Sequence, residues 1–401
     1  MIGLTIEKAV ELILERANQI SETEYIPLME ANGRISCEDI FAPISNPPFD
    51  RSPIDGYGVR GEDTAGASKE TPVKLNVVAE ICAGQASNIE VLKNEAVRMM
   101  TGAPFPKGVN AAVRQEETDY GEEVVQIFNS VNPFDNYCYA GEDYKKGHIL
   151  IEKNSKISYI EQGILSSAGF KEINVWKKSK IALITTGDEM VRAGEPLTPG
   201  KIYNSNLTMV GARLLELGFP LVYCAHATDE PQKVAEKIKE AAQVADLIIT
   251  TGGVSVGKKD VLHGTLDCLG IERVFWRVKI KPGTPTLFSV YNNKPIISLS
   301  GNPFAAIVNV ELLVRPVLAE INRDPSLNTK IEVGIMESDF PKASKGRRFI
   351  RGTYEKGKVQ LGNRKNSSGV IASMRGCNCM IDIPAGNEGL KIGDEVCVVL
   401  L

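Results

Sequence analysis

Residues 245–260 read ADLIITTGGVSVGKKD, and this stretch decides the fold. The apolar or β-branched run Leu247–Thr251, set between an acid and two glycines, has the length and composition of a short buried parallel strand. The run then breaks. Gly252, Gly253 and Gly257 permit a tight turn with bare N–H groups, and Asp260 follows at a predicted helix start, a combination suited to an oxyanion. Two further units repeat the pattern. A strand over 180–184 delivers Thr185, Thr186, Gly187, Asp188 and Glu189, and one over 294–299 delivers Ser300, Gly301, Asn302 and Pro303. Glycine and asparagine are ordinary turn residues, but three such loops in one domain, two of them carrying acids, point to a site at the carboxyl ends of a sheet.

Working outward, strands and helices alternate from 180 to about 325: helices over 206–217, 231–243, 260–268 and 303–321, strands over 220–225 and 246–251. Alternation of this kind predicts a parallel sheet covered on both faces. Upstream, Ile6, Val10, Ile13, Ala17 and Ile20 recur at helical spacing, predicting an amphipathic helix over 5–20. Asn32-Gly33 signals a hairpin turn. The segment NPPFDRSPIDGYGVR (46–60) is broken by prolines and reads as a charged loop. Short strands over 73–78, 97–100, 111–115 and 124–128 indicate a small β-domain, and a helix is expected over 157–168. From 328 onward, short apolar runs among glycines predict a second β-domain.

The chain has 401 residues, a formal net charge of −4 and 43% hydrophobic residues, which indicates several folded domains without the positive field that nucleic acid or an anionic membrane needs. Eight scattered cysteines with no C-x-x-C signal neither zinc nor disulfides and suit a reducing cytoplasm. No stretch approaches the ~18 apolar residues of a membrane span, so the expected protein is cytoplasmic.

Gly252 to Lys258 fits G-x-x-x-x-G-K, but Lys259 stands where a Walker motif has Ser or Thr. Without that hydroxyl for Mg²⁺, nucleotide hydrolysis is disfavoured while anion binding by backbone amides survives. Asp229 fits an N-cap before Pro231 at least as well as a catalytic role. Arg277, Lys279 and Lys281 alternate along an extended segment, so one face could carry all three cations. That face would serve a polyanion or guard an edge strand equally well. His148, His226 and His263 form no triad, which argues against nucleophilic catalysis.

Taken together, PPFDRSPIDGYGVR, RMMTGAPFPKGVNAAVRQEET, TTGDEM with PGKIYNSN, TTGGVSVGKKD, FWRVKIKPGTP and SGNPFAA resemble the molybdopterin molybdenumtransferases, the MoeA and gephyrin E-domain family, in order and over nearly the whole chain. The resemblance implies a multidomain α/β plus β architecture of four parts: an elongated linking domain (1–45 and 145–178), an inserted β-domain (46–144), a parallel-sheet molybdopterin-binding α/β domain (179–327) and a C-terminal β-barrel-like domain (328–401). It implies a homodimer with the site shared between subunits. The implied reaction is Mg²⁺-dependent insertion of molybdate into adenylyl-molybdopterin, giving molybdenum cofactor, AMP and water. Molybdopterin adenylyltransferase and molybdoenzyme apoproteins or their chaperones are the implied partners. Carried over by motif, Asp55 and Thr101 resemble the contribution of the second subunit, and Glu189 and Asp260 the catalytic acids near pyrophosphate and metal, with Asp229 a further candidate. Gly252, Gly253 and Ser255 would cradle the ligand, Arg277 and Lys281 supply positive charge, and Ser300, Pro303 and Ser368 line the site. The chain departs from the pattern where Tyr137, Cys138 and Tyr139 precede Gly-Glu-Asp in place of an arginine, at Thr284 in place of lysine and at Ser300 in place of proline. These departures leave open a tungstate-inserting paralogue or a non-catalytic molybdopterin carrier or scaffold.

Overall fold

The computed structural model describes residues 1–254, 261–362 and 367–401. The chain forms two compact units, one of Met1–Glu24 with Trp176–Leu401 and one of Tyr25–Val175. In the first, seven strands form a sheet in the order Ile2–Leu4, Arg273–Val278, Leu287–Tyr291, Lys294–Leu299, Leu247–Thr251, Ile181–Thr186 and Leu221–Ala227. The last four pair in parallel as the alternation predicts. Leu287–Tyr291, by contrast, runs antiparallel to both neighbours, so the sheet is mixed. The cause is local: Asn292 and Asn293, with φ +48° and +60°, make the two-residue turn whose twist matches a hairpin.

The strand interiors are apolar on both faces because helices cover them. Ser205–Glu216 is capped by Asn204, whose Oδ1 accepts from Leu207 N at 3.2 Å, and Pro231–Ala242 starts on its proline. The N-terminal helix is shorter than expected, Ile6–Leu14 with Thr5 as its cap. It buries Ile6, Ala9, Leu12 and Ile13 in the α/β core, which places the first residues with the α/β unit rather than with the linking element. The expected helix over 303–321 is continuous but contains a π-turn, Val310–Val314. In the C-terminal region the strands Arg347–Glu355, Lys358–Leu361, Ile331–Met336, Glu395–Leu400 and Cys379–Ile383 close on themselves as a barrel, with Ile280–Lys281 added to Arg347–Glu355 at its edge.

In the second unit, five strands pair in the order Ala111–Arg114, Gly56–Val59, Glu95–Met99, Val73–Ile81 and Val124–Ile127. Gly56–Val59 is a correction, since the segment reads as part of a loop. Gly56 and Gly58 hide the strand from a hydrophobic pattern, yet a Cβ on Gly56 would lie 1.9 Å from the Val113 carbonyl oxygen. Asn32-Gly33 turns, but not between the two strands of a hairpin: Thr23–Pro27 pairs with Glu172–Trp176. The helix Tyr159–Ser167 carries a full capping box between Ser158 and Glu161. Among the described residues, no helix is long and apolar enough to cross a membrane.

Candidate functional site

The carboxyl ends of Ile181–Thr186, Leu247–Thr251 and Lys294–Leu299 open into one cleft of 680 Å³. Its floor is glycine. Gly252 and Gly253 hold φ at +97° and +65°, in the left-handed region that only glycine visits without cost. A Cβ on Gly252 would stand 2.4 Å from the Thr186 carbonyl oxygen, and one on Gly253 would stand 2.5 Å from Val261 Cγ1. A Cβ on Gly301 would lie 3.3 Å from the Gly252 Cα, so the second and third loops touch backbone to backbone. Side chains are excluded there, which leaves main-chain polar groups to meet a ligand.

Glu189 and Asp229 line the cleft. The Glu189 carboxylate folds back to where a Cβ on Gly187 would meet it at 2.9 Å, which explains the glycine before the acids. Asp229 N donates to Asp188 Oδ1 at 2.9 Å, and Asp188 N donates to Asp229 Oδ2 at 3.4 Å. That reciprocal pair holds the two acidic loops together. Asp229 is not the cap of the following helix, because Glu230 occupies that position without a side-chain cap bond. Thr186 Oγ1 and Asn206 Oδ1 are buried at this cleft without a hydrogen-bond partner among the described residues, and a buried polar atom left unmatched costs about 1–3 kcal/mol. Asn206 Nδ2 donates to the Gly301 carbonyl at 2.8 Å, so its oxygen is held in place.

Ser300 and Pro303 also line the cleft. The Ser300 hydroxyl accepts from Asn302 N at 3.4 Å, which gives it a turn-forming role. Ser368 reaches the same corner through its main chain, its carbonyl accepting from Phe304 N at 3.1 Å. Ser255 and Asp260 lie outside the described residues.

Two of the expected cations are placed elsewhere. Arg277 has φ +69°, which ends the alternation, and its guanidinium stacks over Trp276 at 4.2 Å. Lys281 belongs to the barrel edge and lines a separate cavity of 760 Å³ with Lys279, Thr284, Lys345 and Arg348. Arg277 therefore leaves the alternating face, because the strand breaks after it, while Lys279 and Lys281 stay together in that cavity. A cation not singled out in the sequence packs against Phe304, the residue after Pro303. Arg351 is 1% exposed, its guanidinium lies 4.0 Å over the Phe304 ring, and Nη2 donates to the Ser367 carbonyl at 2.6 Å. Its Nε and Nη1 have no partner among the described residues, and burial pushes its pKa down.

Asp55 and Thr101 belong to the other unit, where they pair: Thr101 N and Oγ1 donate to Asp55 Oδ1 at 2.7 and 2.9 Å. These two bonds hold the exposed Asp55 carboxyl below its ordinary pKa. The departures from the family pattern are also accommodated. Tyr137 donates to Asp50 Oδ2 at 2.5 Å and stacks on Phe105 at 4.5 Å, burial and that carboxylate together raising its pKa. Thr284 donates to the Ile280 carbonyl.

Among the described residues, no three acidic, histidine or cysteine side chains gather to hold a metal. Two carboxylates beside an oxyanion cradle nevertheless suit Mg²⁺, which takes one or two carboxylates and shares the ligand's phosphate oxygens.

Three family models match the chain in order: the MoeA N-terminal region (domain I and II) over residues 4–169, a probable molybdopterin binding domain over 182–320, and the MoeA C-terminal region (domain IV) over 333–401. A molybdopterin molybdenumtransferase of Bacillus subtilis is 36% identical over 407 residues, covering 99% of this chain and 94% of its own. One of Staphylococcus epidermidis is 33% identical over 400 residues, at 99% and 95%. The crystal structure of the molybdopterin biosynthesis MoeA protein of Pyrococcus horikoshii superposes with a TM-score of 0.86 at 30% identity, covering 99% of each chain.

Proposed function

The chain belongs to the MoeA family of molybdopterin molybdenumtransferases, transferases of molybdenum cofactor biosynthesis, and from that premise we propose that its cleft binds adenylyl-molybdopterin and inserts molybdate with Mg²⁺-dependent release of AMP. The observation that carries this reading is the Gly252–Gly253–Gly301 floor with Glu189 and Asp229 beside it. A backbone-lined anion seat next to two carboxylates suits a pyrophosphate better than it suits a neutral ligand.

Mg²⁺ would supply neutralisation of the phosphate oxygens, held by Glu189 with Asp229 or Asp260 as the further candidate. The residues of the chain do the rest. The glycine turns let the main chain approach the anion without a side chain between them, and Thr186 Oγ1 and Asn206 Oδ1 offer fixed partners to ligand donors. Arg351, buried against Phe304, adds positive charge behind the Pro303 wall, although buried charge of this kind is costly unless it is matched. Hydrolysis of the adenylate, releasing AMP, makes exchange of molybdate onto the dithiolene favourable. We place Asp55 and Thr101 as the second subunit's contribution in a cytoplasmic homodimer, one that receives its substrate from a molybdopterin adenylyltransferase and passes the cofactor to molybdoenzyme apoproteins or their chaperones.

The test is AMP release from adenylyl-molybdopterin and Mg²⁺ with molybdate, with tungstate and with neither. Release that depends on molybdate supports the reading. Preference for tungstate would make the chain a tungsten-inserting relative, and tight binding without release would make it a carrier.

A further inference from the structure

Asn309 is fully buried, where an amide is costly unless its polar atoms are met. Its Nδ2 donates to the Thr286 hydroxyl at 2.7 Å and to the Gly283 carbonyl at 3.3 Å. Thr286 Oγ1 donates to that same carbonyl at 2.9 Å, which closes a ring of three hydrogen bonds. Gly283 holds φ at +99°, and a Cβ there would lie 2.2 Å from Asn309 Oδ1. The amide therefore occupies the space that a side chain at 283 would fill. Its Oδ1 has no partner among the described residues, so an apolar side chain would avoid that cost, and packing alone does not explain an asparagine here.

The location supplies another reason. Asn309 closes the segment Pro303–Asn309, directly before the π-turn Val310–Val314. Such a turn inserts one residue, rotates the helix face by about 100° and is frequent at functional sites. The segment begins at one wall of the cleft, Asn302 and Pro303, while the loop that Asn309 grips puts Pro285 into another wall. Apart from the pairing of Ile280–Lys281 with Arg347–Glu355 at its start, the loop is tied among the described residues by bonds to its own strand, Arg277 N to the Thr286 carbonyl at 2.7 Å and Val278 N to the Thr284 carbonyl at 3.0 Å. Asn309 thus joins two walls of one cleft.

We propose that Asn309 is a positioning residue that locks the 281–286 loop to the helix starting at Pro303 and so sets the distance between the Pro285 and Pro303 walls around the ligand. This rests on the cleft being the adenylyl-molybdopterin site. Asn309→Ala in the full chain should raise KM for adenylyl-molybdopterin about tenfold while kcat stays within about threefold, because a misplaced wall weakens binding more than it alters the reacting groups. Thr286→Val removes only a hydroxyl and provides the same test if the alanine variant folds poorly. The double variant should be no worse than Asn309→Ala, since both act through one ring of bonds. Val317→Ala, a cavity in the same continuous helix but away from the loop, should lower stability and leave KM unchanged.

Hydrogen exchange at the Arg277 and Val278 amides gives a readout independent of activity. Both should exchange faster in Asn309→Ala and not in Val317→Ala. Unchanged KM in folded Asn309→Ala and Thr286→Val would overturn the proposal. If the wild-type chain released no oxyanion-dependent AMP, the functional reading would fail instead, and exchange at these two amides would still decide whether Asn309 anchors the loop.

Discussion

Replacing Gly252 by alanine tests whether the close approach of the loops serves the ligand or only the fold. At φ +97°, an L-residue costs about 1–2 kcal/mol. The new methyl would start 2.4 Å from the Thr186 carbonyl oxygen and 2.7 Å from Thr186 Oγ1, whereas real Cβ contacts hardly ever fall below 3.0 Å. The carbonyl must therefore retreat by about 0.6 Å, and because it is main chain it carries Gly187 and Glu189 with it. Misplacing a reacting group by 1 Å costs on the order of 10²-fold, so the displacement here should lower kcat/KM about 10- to 100-fold. The melting temperature should fall by about 2–8 °C for the same 1–2 kcal/mol. The assay is molybdate-dependent AMP release beside a thermal melt. Gly163 provides the control: it sits in the helix Tyr159–Ser167 with nothing within 4 Å of an added Cβ. Gly163→Ala should gain about 0.5–1 kcal/mol without touching turnover. A Gly252→Ala variant with wild-type kcat/KM and the expected loss in melting temperature would refute the link from loop to ligand. A variant unchanged in both would refute the steric argument itself.

Thr101→Val should raise the pKa of the Asp55 carboxyl toward its ordinary value of 3.8, measured by NMR titration. Because the folded pKa lies below the unfolded one, the Thr101–Asp55 bonds stabilise the fold above that ordinary value and are lost as pH falls through the folded pKa. The variant should show a weaker acid dependence there. Glu311→Gln should be strongly destabilising, by about 3–5 kcal/mol. It removes the charge between Arg213 Nε at 2.7 Å and Arg315 Nη1 at 2.9 Å inside a fully buried site. A urea midpoint within error of wild type would show that the two guanidiniums do not need the carboxylate.

Much of the α/β sheet was legible because its strands are largely apolar or β-branched runs followed by glycine-bearing loops, as at Leu247–Thr251 and Lys294–Leu299. What escaped was whatever depends on partners distant in sequence. Gly56–Val59 is wholly buried yet half glycine, so it carries no apolar signature of a strand. The strands Arg273–Val278 and Leu287–Tyr291 were missed although Asn292-Asn293 marked the turn after the second. Of the candidate site residues, the loop positions Glu189, Asp229, Gly252, Gly253, Ser300 and Pro303 meet in one cleft because their strands are neighbours. Arg277 and Lys281 do not join them, since a positive φ at Arg277 breaks a face that alternation alone would have continued. Arg351 was invisible because nothing about its position in the sequence shows that two of its donors will be buried without acceptors.

The pairing of Ile2–Leu4 with Arg273–Val278 bears on the order in which the protein is made. The unit Tyr25–Val175 is contiguous and can fold as soon as it emerges. Ile2 and Leu4, in contrast, must wait for Trp276 and Val278, their registered neighbours, an interval of roughly 15–55 s at typical translation rates of about 5–20 residues per second. Throughout that interval the apolar stripe of Ile6–Leu14 has no core to enter. A nascent chain stalled before residue 278 should therefore display this helix to chaperones and proteases while Tyr25–Val175 is already native.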